Sequence, residues 1–120
     1  MQKNEIVKVK IEDIGVGGEG IGKVDGYTLY GYARLMNVLT PSKDRVEEPV
    51  CSMARKCGGC QIQEMKYPAQ LAFKEAKVRG NLERIGEVPA ELLDQIMHPA
   101  VGMDGEGMQP FRYRHKAPFP

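Results

Sequence analysis

The segment CSMARKCGGC, residues 51–60, holds all three cysteines of this 120-residue chain. An odd number of cysteines so closely spaced does not suit a disulfide framework, whereas clustered thiolates are typical of a metal or cluster site. Gly58 and Gly59 leave room beside the thiols, and we expect the segment to be a loop because it is too glycine-rich for helix. β-patterned sequence precedes this segment and helical sequence follows it.

The residues alone leave three interpretations of the thiols open. An iron–sulfur cluster and a zinc ion both take thiolate ligands, and the third interpretation is three buried or free thiols. Zinc usually takes four protein ligands, and the chain lacks a second C-x2-C pair. His98 and His115 are its only histidines, and we expect them to be structural or solvent-facing rather than ligands.

Residues 1–40 are predicted to form antiparallel β-structure. Residues 7–11 alternate valine or isoleucine with lysine, which is the period of a half-buried strand. The sequence VDGY at residues 24–27 predicts a two-residue type I′ hairpin turn. A return strand over residues 27–30 and a further strand over residues 33–39 are expected to follow.

The glycine-rich sequence GVGGEG, residues 15–20, matches the dinucleotide-binding pattern G-x-G-x-x-G. That pattern binds a pyrophosphate only where it opens a helix, and the following IGKVDG cannot begin one. Lys23 is also not followed by the Ser or Thr of a P-loop. We therefore interpret the glycines as a turn or bulge where only glycine fits.

Residues 41–64 are predicted to be a charged, proline-bounded linker that leads into the cysteine loop, and residues 65–86 one amphipathic helix. Gly86 and Pro89 end this helix, and a short turn or helix is expected over residues 90–97. The tail from Phe111 is predicted to begin a further β segment. The apolar stripe of the amphipathic helix consists of Tyr67, Leu71, Val78, Leu82 and Ile85.

Composition excludes several classes of protein. The net charge is +1, so bulk charge does not indicate a nucleic-acid binder. No apolar run is long enough to cross a membrane, and the N-terminus lacks the apolar core of a secretory signal, so we expect a cytoplasmic protein. Near the C-terminus, Arg112, Arg114 and Lys116 surround Tyr113, an arrangement that suits either RNA binding or a solvated strand edge.

The cysteine segment and the helix after it resemble the S-adenosylmethionine-dependent RNA (uracil-5-)-methyltransferases that act on 23S ribosomal RNA. The shared pattern is C-x5-C-G-G-C-Q, then a helix with Tyr67, Gln70-Leu71 and Lys74 that ends near Ile85-Gly86. Residues 17–22 and 24–27 resemble the start of the TRAM domain, a small RNA-binding β-barrel of the OB type.

The resemblance implies the N-terminal fragment of such an enzyme, with an α+β fold. Residues 1–40 would be a truncated, partial OB-like TRAM sheet, 41–64 the linker and cluster loop, 65–86 the helix, and 87–120 the start of the segment that leads to the methyltransferase domain. S-adenosylmethionine and the catalytic residues would belong to that missing domain, so that this chain alone is inactive. The partner would be ribosomal RNA, bound by a monomer.

The resemblance also implies a 4Fe-4S cluster, with a fourth cysteine expected beyond the end of this chain. Its ligands here would be Cys51, Cys57 and Cys60, and the RNA-binding residues would be Lys23, Arg112, Arg114 and Lys116. Tyr30 joins Gly31 where the family has another strand and a basic turn, so we expect a curled sheet rather than a closed barrel. The alternatives are a free-standing RNA-binding module with a zinc or iron–sulfur site and no enzymatic activity, and a decayed product that folds poorly.

Overall fold

The computed structural model describes residues 5–28, 33–57, 59–103, 105 and 110–111. These residues fall into two compact units, Met1–Pro41 and Ser42–Pro120. Strands lie in the first unit and helices in the second, which confirms the predicted α+β class. None of the helices among the described residues is long and apolar enough to cross a membrane.

The described part of the first unit contains an antiparallel sheet of three strands. Its strands are β1 (Lys10–Ile14), β2 (Gly20–Val24) and β3 (Tyr27–Thr28), in the order β1-β2-β3. Asp25 and Gly26 join β2 to β3 with φ angles of 50° and 81°. Left-handed backbone at both positions is what a type I′ turn requires, so the predicted hairpin turn is confirmed.

The strand predicted over residues 33–39 is wrong, because those residues form no regular structure. A strand is held by ladder hydrogen bonds to a neighbour. Within the described part of the chain, the sheet holds only β1, β2 and β3, and residues 33–39 pair with none of them. Residues 29 and 30 of the predicted return strand lie outside the described residues.

The Ile11 side chain of β1 lies against the glycine backbone of β2. Ile11 pairs with Gly22 and Asp13 with Ile21, so that a β-bulge interrupts the register between Ile11 and Asp13. A methyl group built on Gly20 would come within 3.1 Å of the Ile11 side chain. The last residues of the predicted glycine turn, from Gly20 onward, therefore belong to strand β2. Because Gly20 has no side chain, its backbone can lie close to the Ile11 side chain.

Gly22 should be the least replaceable of these glycines. An added Cβ would lie 2.6 Å from the Lys10 carbonyl oxygen, a backbone atom that cannot rotate away. We expect Gly22→Ala to destabilise the β1–β2 pairing by about 1–3 kcal/mol. Gly20→Ala is the matched control, because its nearest neighbours belong to the flexible Ile11 side chain. Amide exchange of β1 and β2 measures both, and equal protection in the two variants would contradict the prediction.

The second unit contains α1 (Ala54–Cys57), α2 (Tyr67–Arg84) and α3 (Ala90–Ile96). Helix α2 confirms the predicted long helix, and Pro68 lies in its first turn, where a missing N–H is tolerated. The predicted short helix over residues 90–97 is confirmed by α3. After α2 the backbone turns left-handed at Glu87, with φ of 52°, one residue later than the glycine expected to mark the end.

Helix α3 and the residues after it are held on α2. The side chain of Leu93 in α3 is completely buried. Arg79 of α2 donates to Asp94 at 2.7 Å and to Glu83 at 2.9 Å, and the hydrogen bond to Asp94 raises the pKa of the Arg79 guanidinium. The backbone N–H of Ala100 donates to the Glu75 carboxylate at 3.1 Å. Individual hydrogen bonds and ion pairs therefore join α2 to α3 and to the residues after it.

The predicted apolar stripe of α2 is half-buried only in its first part, at Tyr67 and Leu71. Val78 is 53% exposed and Ile85, just past the helix, is 79% exposed. Of the stripe, Tyr67 contacts the residues after α3, because its hydroxyl accepts a hydrogen bond from the Met103 N–H at 2.7 Å. Helical periodicity predicted the helix correctly. Glu75 and Arg79, which hold the following segment, border the stripe, because they continue at four-residue spacing from Tyr67 and Leu71.

Candidate functional site

The cysteine segment contains one short helical turn, contrary to the expectation of a loop without helix. The N–H of Ala54 donates to the Cys51 carbonyl at 3.0 Å, and the N–H of Cys57 donates to the Met53 carbonyl at 2.9 Å. Residues 54–57 precede the glycines and begin with alanine, the residue with the highest helix propensity. Helix α1 therefore follows Cys51 and ends at Cys57.

All three thiols are free and exposed to solvent. Gly59 lies against one of them, since a methyl group on this glycine would be 3.4 Å from the Cys57 sulfur. Exposed thiols without disulfide partners are available to a soft metal, so the chemistry of the donor set suits thiolate ligation of iron or zinc. The three thiolates supply three of the four protein ligands typical of such sites.

The three thiols are not part of a preformed metal site among the described residues. Among the residues that the structure describes, no group of three His, Cys, Asp or Glu side chains is arranged to hold a metal ion. The convergence of Cys51, Cys57 and Cys60 therefore stays a prediction, as does their role as ligands. His98 is exposed on the residues after α3, and His115 lies outside the described residues.

The cysteine loop is closed at its base by paired backbone. Arg45 and Met65 form an antiparallel β-bridge. The N–H of Val46 donates to the Glu64 carbonyl and the N–H of Lys66 donates to the Asp44 carbonyl, both at 2.8 Å. We call residues 43–46 and 64–66 the neck of the loop. Residues 43–46, which were predicted to belong to a linker, thus form one of the two paired segments of the neck.

Two side-chain contacts reinforce the neck. The Arg45 guanidinium donates to the Glu64 carboxylate at 2.9 Å, and both side chains are about three-quarters buried, with exposed fractions of 25% and 29%. The Lys66 ammonium donates to the Lys43 carbonyl at 2.6 Å. Sequence reasoning missed these two contacts. Opposite charges on the two flanks of the cysteine segment are a signal that could have suggested the ion pair.

Lys23, the predicted RNA-binding residue of the first unit, lies on β2 opposite Lys10 of β1. Its ammonium is 3.8 Å from the Glu12 carboxylate, and its side chain is 53% exposed. Cross-strand partners share one face of a sheet, so the two lysines form a basic pair that sequence reasoning missed. The other predicted RNA-binding residues, Arg112, Arg114 and Lys116, lie outside the described residues.

The glycine-rich turn carries a carboxylate. The backbone N–H of Gly15 donates to the Glu19 carbonyl at 2.7 Å, which closes the turn. The Glu19 carboxylate lies beside Gly15 and Gly17, close enough to meet a methyl group on either. Negative charge beside these amides opposes phosphate binding, so this geometry favours the turn over the dinucleotide interpretation.

No family model and no solved structure matches this chain. Its sequence is similar to curated proteins over its whole length. An uncharacterized RNA methyltransferase of Halalkalibacterium halodurans is 39% identical, and the match covers 100% of this chain and 29% of that protein. Uncharacterized RNA methyltransferases of Listeria innocua and Clostridium tetani are 36% and 35% identical, with 29% and 28% of their lengths covered.

This chain therefore spans less than a third of the length of the curated relatives it matches. The alignment to the relative from Halalkalibacterium halodurans runs over 141 residues, against 120 in this chain. The relative accordingly carries additional residues inside the matched stretch. The predicted shortening between Tyr30 and Gly31, which lies outside the described residues, is one place where they fit.

Proposed function

We propose that this chain, which is similar over its whole length to proteins named RNA methyltransferases, is the segment of such an enzyme that engages RNA and ligates an iron–sulfur cluster. The observation that carries the proposal is identity of 33–39% across all of its residues to proteins of that name. We extend the proposal to uracil in 23S ribosomal RNA on the resemblance of the cysteine segment and the helix.

In this proposal the three thiolates of Cys51, Cys57 and Cys60 hold a 4Fe-4S cluster. Such a cluster supplies a redox centre or a rigid inorganic cross-link to the chain that binds it. The chain itself contributes free, exposed thiols on a loop with a closed neck. We assign S-adenosylmethionine and the methyl-transfer step to the part of such enzymes that this chain does not match.

The RNA-binding part of the proposal rests on the basic pair of Lys10 and Lys23. Two ammonium groups on one face of a hairpin attract the phosphate backbone irrespective of its sequence. Glu12 opposes this attraction because its carboxylate is 3.8 Å from the Lys23 ammonium. We therefore expect this segment alone to bind single-stranded RNA weakly, with little sequence preference and a marked loss of affinity between ~50 and ~200 mM salt.

Two measurements on the purified chain test the proposal. After anaerobic reconstitution we expect iron and sulfide bound together, with no methyl group transferred from S-adenosylmethionine to ribosomal RNA. Stoichiometric zinc without iron would favour the free-standing zinc module instead. Label appearing in uracil would show that the chain is itself the enzyme, and RNA binding that salt leaves unchanged would overturn the account based on phosphate neutralisation.

Variants of the hairpin face should change RNA affinity in opposite directions. Replacing Lys10 or Lys23 by alanine is expected to weaken binding and to lower the salt slope by about 1 for each phosphate that is no longer neutralised. Glu12→Gln should strengthen binding, because it removes the negative charge beside Lys23. Lys74→Ala, on the exposed side of α2 in the other unit, is the matched control. Titrations with fluorescent RNA at several salt concentrations measure all four, and equal effects of Lys10→Ala and Lys74→Ala would contradict the assignment.

A further inference from the structure

The geometry points to the neck as the element that positions the cysteine loop: we propose that the Arg45–Glu64 ion pair and the Lys66–Lys43 hydrogen bond hold the loop closed before any metal binds. This inference rests on the proposed thiolate site and goes beyond it, because it assigns a role to residues that are not themselves ligands. All of the neck residues lie among the described residues.

The first argument is the placement of the contacts. Arg45 and Glu64 are 19 positions apart in the chain, and all three cysteines lie between them. The bridge between Arg45 and Met65 brings the two flanks of the loop together. The backbone of each flank donates to the other, through Val46 and Lys66. These contacts hold the two ends of the cysteine loop next to each other.

The second argument is the conformational entropy of the loop. Three ligands can meet at one centre only if the chain between them gives up freedom, and joining the ends of a loop is part of that cost. A neck that is already closed removes this part from the binding step, as preorganisation does for any ligand. The described residues hold no preformed group of three metal ligands, so the loop between the flanks is what metal binding would still have to order.

The third argument is the chemistry of the two side-chain contacts in the neck. The Arg45–Glu64 contact is short, at 2.9 Å, and both side chains are largely withdrawn from water. Partial burial reduces the screening that makes fully exposed ion pairs weak. Lys66 adds a charged donor on the other flank, at 2.6 Å from a carbonyl oxygen. Two independent contacts therefore close the same neck, and each can be removed separately.

The test titrates Co²⁺ into the reduced, anaerobic 120-residue chain and follows thiolate-to-metal absorbance. Glu64→Gln and Lys66→Met are each expected to lower the Co²⁺ affinity by about two- to fivefold. The exchanged pair, Arg45→Glu with Glu64→Arg, should restore most of the affinity that Glu64→Gln loses. Asp94→Asn is the matched control, since it breaks the Arg79–Asp94 ion pair of the same unit away from the neck. Its Co²⁺ affinity should equal that of the parent chain.

A second readout does not involve metal. In the metal-free chain, the amide protons of Val46 and Lys66 should exchange faster in Glu64→Gln than in the parent, and at the parent rate in Asp94→Asn. Faster exchange with unchanged Co²⁺ affinity would overturn the positioning role and leave the thiolate site standing. Unchanged exchange would show that the ion pair does not close the neck. A parent chain that binds no Co²⁺ would overturn the thiolate site itself, together with the inference that rests on it.

Discussion

Replacing Cys57 by serine is expected to abolish retention of the iron–sulfur cluster. Cys57 lies between the other two cysteines and at the end of α1, with the backbone of Gly59 against its sulfur. A serine hydroxyl is a hard, weakly acidic donor and cannot replace a thiolate towards iron or zinc. After anaerobic reconstitution we expect iron and sulfide to fall to background in this variant. Cys51→Ser and Cys60→Ser should behave in the same way.

His98→Ala is the control for these variants, because it removes an exposed potential ligand outside the cysteine loop. Its iron and sulfide content should equal that of the parent chain. Circular dichroism in the absence of metal should show the helix content of the parent in all four variants, since the thiols are exposed and support no packing. Full cluster content in Cys51→Ser would remove Cys51 from the ligand set.

Truncation of Leu93 is expected to cause the largest loss of stability in the second unit. Leu93 is the one completely buried side chain among the described residues. Removing a buried leucine side chain to alanine costs about 2–5 kcal/mol, from reduced burial and the cavity left behind. Because the unit buries so little else, we expect Leu93→Ala to release α3 from α2. Urea unfolding followed by circular dichroism, with amide exchange of α3, measures the effect.

Leu92→Ala is a closely matched control for this experiment. Leu92 precedes Leu93 in the same helix and is 44% exposed, so the same substitution leaves helix propensity equal but removes far less burial. We expect its unfolding midpoint to stay much closer to that of the parent. Similar midpoints for the two variants would mean that α3 is held mainly by the Arg79–Asp94 ion pair rather than by Leu93.

Local signals in the sequence predicted the elements well. The turn at Asp25 and Gly26 requires positive φ at two adjacent residues, and only a few residue types adopt it readily. Helix α2 follows from the spacing of its apolar residues and from the glycine and proline after it. These signals depend on residues close together in the chain, so the turn and the helix can be predicted without the tertiary structure. The strand over residues 33–39 failed because a strand depends on a partner that the pattern cannot show.

The sequence by itself determined the antiparallel hairpin, the long helix, the spacing of three thiols and the resemblance that the homologous RNA methyltransferases then supported. Only the tertiary structure decided that Lys10 faces Lys23, that Arg79 meets Asp94 of α3, and that Arg45 meets Glu64. The physical reason is the distance along the chain between the residues that interact. A turn or a helix is stabilised by residues a few positions apart, whereas strand register, the packed face of a helix and a loop neck arise where distant segments meet.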